Sequence, residues 1–527
     1  MPAYSFTKIP GEELYLNILL VYPEYPDTFW SFKHALKVVF KKAANPPLGL
    51  ITVAAMLPTE WEKKLIDMNV QSLKDKDIKW ADYVFISAMV VQRESVTATI
   101  ARCKALGKKV VAGGPLFTTE YEEFDDVDHL VLDEAEITLP IFLRDFETGK
   151  AQHIYTSKER PDITKTPIPE WSLIKMSKYT SMNIQYSRGC PYDCEFCDIV
   201  HLNGHMPRTK STKQVIDELN ALQDAGWKGS IFIVDDNFIG NKRKLKEEIL
   251  PAIIEWRKTP KFVPSFFTES SINLADDEEL MRLMVEAGFD RVFIGIETPN
   301  EESLIECNKL HNKNRDLVAA VKSIQAHGME VQGGFIVGFD SDPTSIFQKQ
   351  IEFIQKSGIV TAMVGLLNAP RGSRLYERMK KENRLLKKGT GDNTDCSINF
   401  VPKMRMDTLI NGYKQVMNTI YAPKHFYERI RTFLKEFNPR HYEVKFYQLR
   451  FYHIVGLVRS FWLLGVVDKG RKYFWRLIIP VLFKKPKFFP LSVILSVYGL
   501  HFRKVCEKLS RSTTNLKVQK VPNTKSA

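Results

Sequence analysis

Two stretches of this chain, residues 15–132 and 182–367, repeat one alternation: a short apolar strand, then a segment of helical periodicity. Strands separated by helices pair in parallel and need cover on both faces, which confines the chain to α/β architecture. In the first stretch residues 15–22 (YLNILLVY), 83–87, 109–112 and 128–132 read as strands, with helices over 48–56 and 95–106. They predict a doubly wound, Rossmann-like sheet, whose ligands sit beyond the C-terminal strand ends. Those ends fall at 22–32, at 87–92 from Ser87 onward, and at 113–117, where Gly113-Gly114-Pro115 makes a tight turn. In the second stretch the strands fall at 182–186, 230–234, 264–268, 291–295, 331–337 and 363–367. Six parallel strands with intervening helices predict an open (βα)6 partial barrel, with chemistry at the C-terminal strand ends. One of its helices carries clear signals: Asp276 with Glu279 at the start and Gly288 at the stop.

A chain of 527 residues exceeds one ordinary core. Residues 1–150 read as the Rossmann-like domain. Residues 151–180, with Pro161, Pro167 and Pro169, read as a linker, and 181–400 as the barrel. A helical extension (401–440) and a basic aromatic tail (441–527) follow. The net charge of +13 is local: residues 441–527 hold 17 Lys plus Arg against 3 Asp plus Glu, which leaves the first 440 residues at −1. A nearly neutral body argues against a nucleic-acid groove. Seven cysteines are too few for a disulfide scaffold. Residues 1–10 lack the apolar core of a secretory signal, so the expected compartment is the reducing cytoplasm.

Three of the cysteines stand together. Cys190, Cys194 and Cys197 lie in SRGCPYDCEFCDIV, directly after the first barrel strand, at Cys-x3-Cys-x2-Cys spacing. Three thiolates on one tight loop can hold three corners of an iron–sulfur cube and leave the fourth iron open to a substrate or cofactor. The competing reading is a structural zinc site, which needs a fourth ligand such as His201 or His205. Cys103, Cys307, Cys396 and Cys506 are isolated, and we expect no second cluster.

Cys-x3-Cys-x-aromatic-Cys after the first strand of a sixfold βα barrel resembles the radical S-adenosylmethionine superfamily. The resemblance implies a 4Fe-4S cluster on Cys190, Cys194 and Cys197. The open iron would chelate S-adenosylmethionine, and one electron, from a reductase, flavodoxin or ferredoxin, would release a 5′-deoxyadenosyl radical. It also implies cofactor contacts. Phe196 stands in the adenine slot beside Cys197. Asp235, Asp236 and Asn237 end the second strand, where the family meets the cofactor's amino group. Glu269 and Ser270 end the third strand, and Glu297 ends the fourth, where polar groups meet the ribose or methionine. Gly334, Ile336 and Gly338 match the family's Gly-x-Ile-x-Gly on the fifth.

A doubly wound domain ahead of such a barrel resembles the cobalamin-binding subgroup. Pro46-Pro47-Leu48-Gly49-Leu50, Ala112-Gly113-Gly114-Pro115 and Glu134-Ala135-Glu136 carry that likeness. Asp-x-His-x-x-Gly, which supplies a lower cobalt ligand in other cobalamin proteins, is absent, so an open or water-filled lower face is expected. The implied reaction is cobalamin-dependent C-methylation. Its alternatives are a radical coupling, cyclisation or rearrangement above an empty first domain, and a non-catalytic iron–sulfur or zinc protein.

From residue 446 onward aromatic rings alternate with Lys and Arg, and the longest uncharged run, 488–502, has 15 residues. That is short of the ~20 needed to span a bilayer. Rings beside cations suit the membrane interface, so peripheral attachment at the inner face is one reading. A packed helical hairpin and a nucleic-acid arm are the others. An apolar or lipid substrate follows from the first, and the architecture is similar to that of radical enzymes that methylate hopanoids or build tetraether lipids.

Overall fold

The structure, a computed structural model, describes residues 15–259, 262–386, 388–438 and 451–512. Residues 1–10, and the parts of the tail at 441–450 and 513–527, lie outside the described residues.

The first sheet holds β1 (Asn17–Tyr22), β2 (Glu62–Asp67), β3 (Tyr83–Ser87), β4 (Lys109–Gly113), β5 (His129–Val131) and β6 (Ile154–Tyr155). All pair in parallel, in the order β2-β1-β3-β4-β5-β6. Helices α1 (Leu48–Met56), α2 (Arg93–Ala105) and α3 (Ala135–Glu147) cover its faces. Two strands escape the sequence pattern. EKKLID of β2 opens on three charged residues, which an edge strand tolerates because one side faces water. The other is β6, inside the segment read as a linker. That segment is packed: Trp171, Ile174 and Tyr179 are buried, and the Tyr179 hydroxyl donates to Asp67 over 2.8 Å.

The second sheet is the partial barrel. Its strands are β7 (Ser181–Ile184), β10 (Ser230–Ile233), β11 (Phe266–Ser270), β12 (Phe289–Glu297), β13 (Glu330–Val337) and β14 (Ala362–Leu366), side by side in that order and all parallel. A two-residue hairpin, β8 (Ser187–Arg188) with β9 (Arg208–Thr209), branches off after β7. Alternation along each strand puts Glu269, Phe293, Gly334 and Ile336 on the lumen side. The helix expected to start at Asp276 is α4 (Glu278–Glu286), and its cap is Asp277, which accepts from the Leu280 N–H at 3.0 Å. Asp276 is drawn away by Arg315. Gly288 ends the helix in left-handed conformation, as expected (φ +95°).

An open barrel has an exposed edge, and the first domain covers it. Residues 42–46 run beside β7: Ala43 bridges Tyr179, Ala44 O accepts from Ser181 N at 3.0 Å, and Pro46 O accepts from Asn183 at 3.1 Å. The stretch before them, residues 29–40, lies between the lumen and the C-terminal helices. Trp30 meets Phe293 edge-on at 5.5 Å, and Phe29 stacks on Phe502 at 4.2 Å.

Those helices are α5 (Met406–Ile420), α6 (Pro423–Glu436), α7 (Phe451–Trp462), α8 (Arg471–Lys484) and α9 (Phe489–Ser512). α6 is anchored by the buried Arg429, which donates to Gln355 and to the carbonyls of Ile420 and Val360. α9 is anchored by His501, hydrogen-bonded to the Phe29 carbonyl at 2.9 Å. The described part of the tail is therefore a set of packed helices rather than a free arm. No helix among the described residues is long and apolar enough to cross a membrane.

Candidate active site and cofactor cavity

The cysteine loop begins where the β8–β9 hairpin pinches the chain. Gly189 needs a left-handed backbone (φ +98°), and a Cβ there would lie 2.8 Å from the Met206 carbonyl. Its N–H donates to Asp236 at 2.9 Å. Further along, Glu195 is gripped by both arms of Arg378 (2.7 and 2.9 Å) and Tyr192 stacks on His311 at 3.7 Å. Cys190, Cys194 and Cys197 are all part-exposed and sense one another's charge. Burial pushes the three thiols above the ordinary range, Cys194 to about 11. His201 and His205 are exposed, and among the described residues no three His, Cys, Asp or Glu gather as one metal ion requires. A cube gives each thiolate its own iron, and the three-thiolate set fits that group.

The strand ends divide into groups facing the lumen and groups that hold the frame. Asp235 belongs to the frame: it accepts from Tyr186 N, Ser187 N and Ser187 Oγ at 2.6–2.8 Å, and burial raises it to about 7. Asn237 is occupied with Ser271 (3.2 Å). Ser270 points away from Glu269 and binds the Ser271 carbonyl at 3.2 Å. Asp236 binds Gly189 and Asn203, and also borders the large cavity described below. Glu269 has no hydrogen-bond partner among the described residues. Burial, then the charges of Asp236 and Asp235, raise it to about 7. An enclosed carboxylate cluster of this kind stabilises a cation, and S-adenosylmethionine brings an ammonium and a sulfonium.

Glu297 sits at a bulge in β12 with a left-handed backbone (φ +63°) and pairs with Lys309 at 2.5 Å. Burial opposes the lysine's charge, but Glu297 outweighs it and holds Lys309 protonated. What this strand end presents is thus an ammonium, 6.0 Å from the Phe196 ring and within the field of Cys194. Nothing in the sequence pattern marks Lys309, since it stands beyond the short helix Glu301–Glu306 that follows β12. Gly295 makes room for the pair, because a Cβ there would lie 2.7 Å from Lys309 Nζ. A Cβ on Gly334 would meet the Phe293 ring at 2.7 Å. Ile336 faces the lumen, and Gly338 turns the chain out of β13 (φ +105°).

A cavity of about 970 Å³ lies between the first sheet and the cysteine loop, at the upper end of the range for small-molecule sites. Its first wall is α1 with Ser87, Gly113 and Gly114; its second is Ile199, Leu202 and Asn203 of the cysteine loop. A Cβ on Gly113 would press the Val131 carbonyl at 2.5 Å, and one on Gly114 would press Ser87 Oγ at 2.7 Å, so the close packing of these strand ends at the cavity rim requires both glycines. No histidine is among the described lining residues. Residues 22–32 do not border the cavity. Its ligand edge is shifted toward β3, β4 and β5, because residues 29–40 are used against the barrel.

One buried ion network joins the two walls. Glu134 and Glu136 follow β5; Arg188 and Arg208 face each other on the β8–β9 hairpin. Arg188 reaches Glu134 at 2.9 Å and Glu136 at 2.8 Å, and Arg208 reaches Glu134 at 2.8 Å. Burial would raise the Glu136 carboxyl, but Arg188 outweighs it and holds it down at about 2. The cysteine loop and the floor of the cavity are thereby fixed to each other.

The chain thus sets the cavity of a Rossmann-like domain beside a three-cysteine loop at the mouth of a partial barrel. The B12 binding domain family matches residues 39–143, the radical SAM superfamily matches 184–365, and a domain of unknown function (DUF4070) matches 373–515. An uncharacterized methyltransferase of Synechocystis sp. is 40% identical over 491 residues, covering 92% of this chain and 91% of that one. Hopanoid C-2 methylase of Rhodopseudomonas palustris is 35% identical over 418 residues, 78% of each chain. Among solved structures, the cobalamin-dependent S-adenosylmethionine radical enzyme OxsB with aqua-cobalamin bound shares the fold at TM-score 0.60 and 14% identity, over 95% of this chain and 80% of that one. TsrM from Kitasatospora setae, with cobalamin and a [4Fe-4S] cluster, does so at 0.56 and 13%, over 93% and 99%. The chain belongs to the cobalamin-dependent radical S-adenosylmethionine methyltransferases, and its cofactors are a 4Fe-4S cluster, S-adenosylmethionine and cobalamin.

Replacing Gly114 by valine is expected to weaken cobalamin uptake at least tenfold. The side chain would displace Ser87 at the cavity rim and impose backbone strain of about 1–3 kcal/mol at a positive φ. Corrin absorbance after anaerobic gel filtration reads the effect. Undiminished corrin in the variant would contradict this placement of the corrin.

Proposed function

We propose that this enzyme places a methyl group on carbon of an apolar, lipid-class molecule, and that it works at the inner membrane surface with a flavodoxin- or ferredoxin-like electron donor. The observation that carries the methyl transfer is the cavity of about 970 Å³ between the first sheet and the cysteine loop, which gives a corrin room beside the cluster-binding segment. When bound, cobalamin supplies the methyl group, and the cluster with S-adenosylmethionine supplies a radical that removes hydrogen from carbon. The chain's own residues position these partners. Cys190, Cys194 and Cys197 hold the cluster. Glu269 and Asp236 receive the ammonium of S-adenosylmethionine, and Lys309 receives its carboxylate. Phe196, Gly334 and Ile336 flank the adenine. Ser87, Gly113 and Gly114 form the corrin's edge. Asp235, Asn237, Ser270, Glu297 and Gly338 act one step back, as positioning residues. The likeness to Hopanoid C-2 methylase supports a lipid as the substrate class.

The test is anaerobic incubation of the reconstituted full chain with cobalamin, reductant, S-adenosylmethionine labelled in its methyl group, and membrane lipid extract. The expected result is 5′-deoxyadenosine together with label in the apolar fraction, both dependent on cobalamin. 5′-Deoxyadenosine without label in lipid would overturn the substrate assignment.

A further inference from the structure

We propose that the outer face of α7 and α8 is the surface on which the protein rests on a bilayer rich in anionic head groups. This deepens the reading above, and rests on it for the reason the enzyme needs a membrane. On α7, Ile454, Leu457, Val458 and Trp462 recur at helical spacing, so they share one face. All four are exposed, Val458 to 63% and Trp462 to 61%. Val466 and Val467 extend that face. On α8, Trp475, Ile479, Leu482 and Phe483 repeat the pattern, with Phe483 exposed to 80%.

The two faces adjoin, since Trp475 donates to the Gly465 carbonyl at 2.9 Å and packs on Phe461 at 5.6 Å. The opposite sides are buried through Ser460 on α7, Leu464 just beyond it, and Phe474, Leu477 and Ile478 on α8. The outer face is thus a finished surface on packed helices, and soluble monomers rarely leave a contiguous apolar patch uncovered.

Charge selects the occupant. Between residues 454 and 487 there are eight Lys or Arg and one acidic residue, Asp468. Asp468 is held by Arg503 at 2.9 Å. Arg459 lies over the exposed ring of Phe40 at 4.3 Å, which brings the first domain to the rim of the patch. A second copy of this chain would set cation against cation, and exposed aliphatic side chains do not suit nucleic acid. Tryptophans and phenylalanine among cations match the boundary between acyl chains and anionic head groups. Helices of 12 and 14 residues are shorter than a span, so they lie flat.

Flotation of the full chain with phosphatidylcholine vesicles, with and without phosphatidylglycerol, tests this. The native chain is expected to float with the anionic vesicles and to be released by high salt. Trp462→Glu with Phe483→Glu is expected to cut binding at least tenfold, and Arg476→Glu with Lys484→Glu to remove the preference for phosphatidylglycerol. Both variants should keep 5′-deoxyadenosine formation in detergent, which reads an intact fold and site. Failure of the native chain to float, or equal flotation of the first variant, overturns the proposal. So does a dimer in solution that this variant dissociates without any vesicle binding. Flotation without methyl label in lipid would remove the substrate reading and leave the docking face, and label without flotation would do the reverse.

Discussion

Cys194→Ala is expected to abolish 5′-deoxyadenosine formation and to strip most iron from the anaerobically purified protein. A thiolate on each of three irons leaves one iron free; removal of one ligand exposes a second iron, and the cube loses its grip on the loop. The fold should survive. Glu195 stays clamped by Arg378, and Gly189 stays tied to Asp236, so far-UV dichroism is expected to match that of the native chain. One neighbour needs control: the buried Cys307 lies within the field of Cys194, and its carbonyl accepts from Glu195 N at 2.8 Å. Cys197→Ala should behave in the same way. Full 5′-deoxyadenosine yield from both variants, or native protein holding zinc and no iron, would end the radical reading.

Arg188→Ala is expected to cost about 3–5 kcal/mol of stability, because it leaves the buried Glu136 carboxylate without its guanidinium and Glu134 with a reduced set. The pH dependence gives the signature. In the native chain the folded-state pKa of Glu136 lies below its unfolded value, so the pair contributes fully above about pH 4.5 and is lost only as pH falls toward about 2. In the variant the same carboxyl is buried and unpaired, and its folded-state pKa moves above the unfolded value. It then destabilises most at neutral pH and least once protonated. The gap in denaturation midpoint between native and variant is therefore expected to be widest near pH 7 and to narrow toward pH 4. A flat gap below about 1 kcal/mol would mean that water already screens the network.

Much of this was legible in the chain because strand-forming runs buried on both faces are nearly all apolar. All six barrel strands lie within a few residues of their expected places, and α1 was read to its ends. The misses have physical causes. β2 hides its strand character behind Glu62, Lys63 and Lys64 at an edge, and β6 is two residues long. The cap of α4 slid by one residue, since Asp276 and Asp277 are equivalent in sequence and only Arg315 distinguishes them. In the site, the thiol trio announces itself by spacing, whereas Asp235 and Glu297 look like ligands until their partners are seen. Lys309, Arg188 and Arg208 carry no local signal, because each gains its meaning from a residue at least 12 positions away.

The strip at residues 42–46 has a consequence for how such enzymes diversify. It lies along β7 as the missing neighbour of an unclosed barrel, while Trp30 keeps its ring against Phe293. A descendant that gave up corrin would still have to retain this half of the molecule, or water would flood the flank where radicals must stay dry. The first domain is part of the barrel's wall.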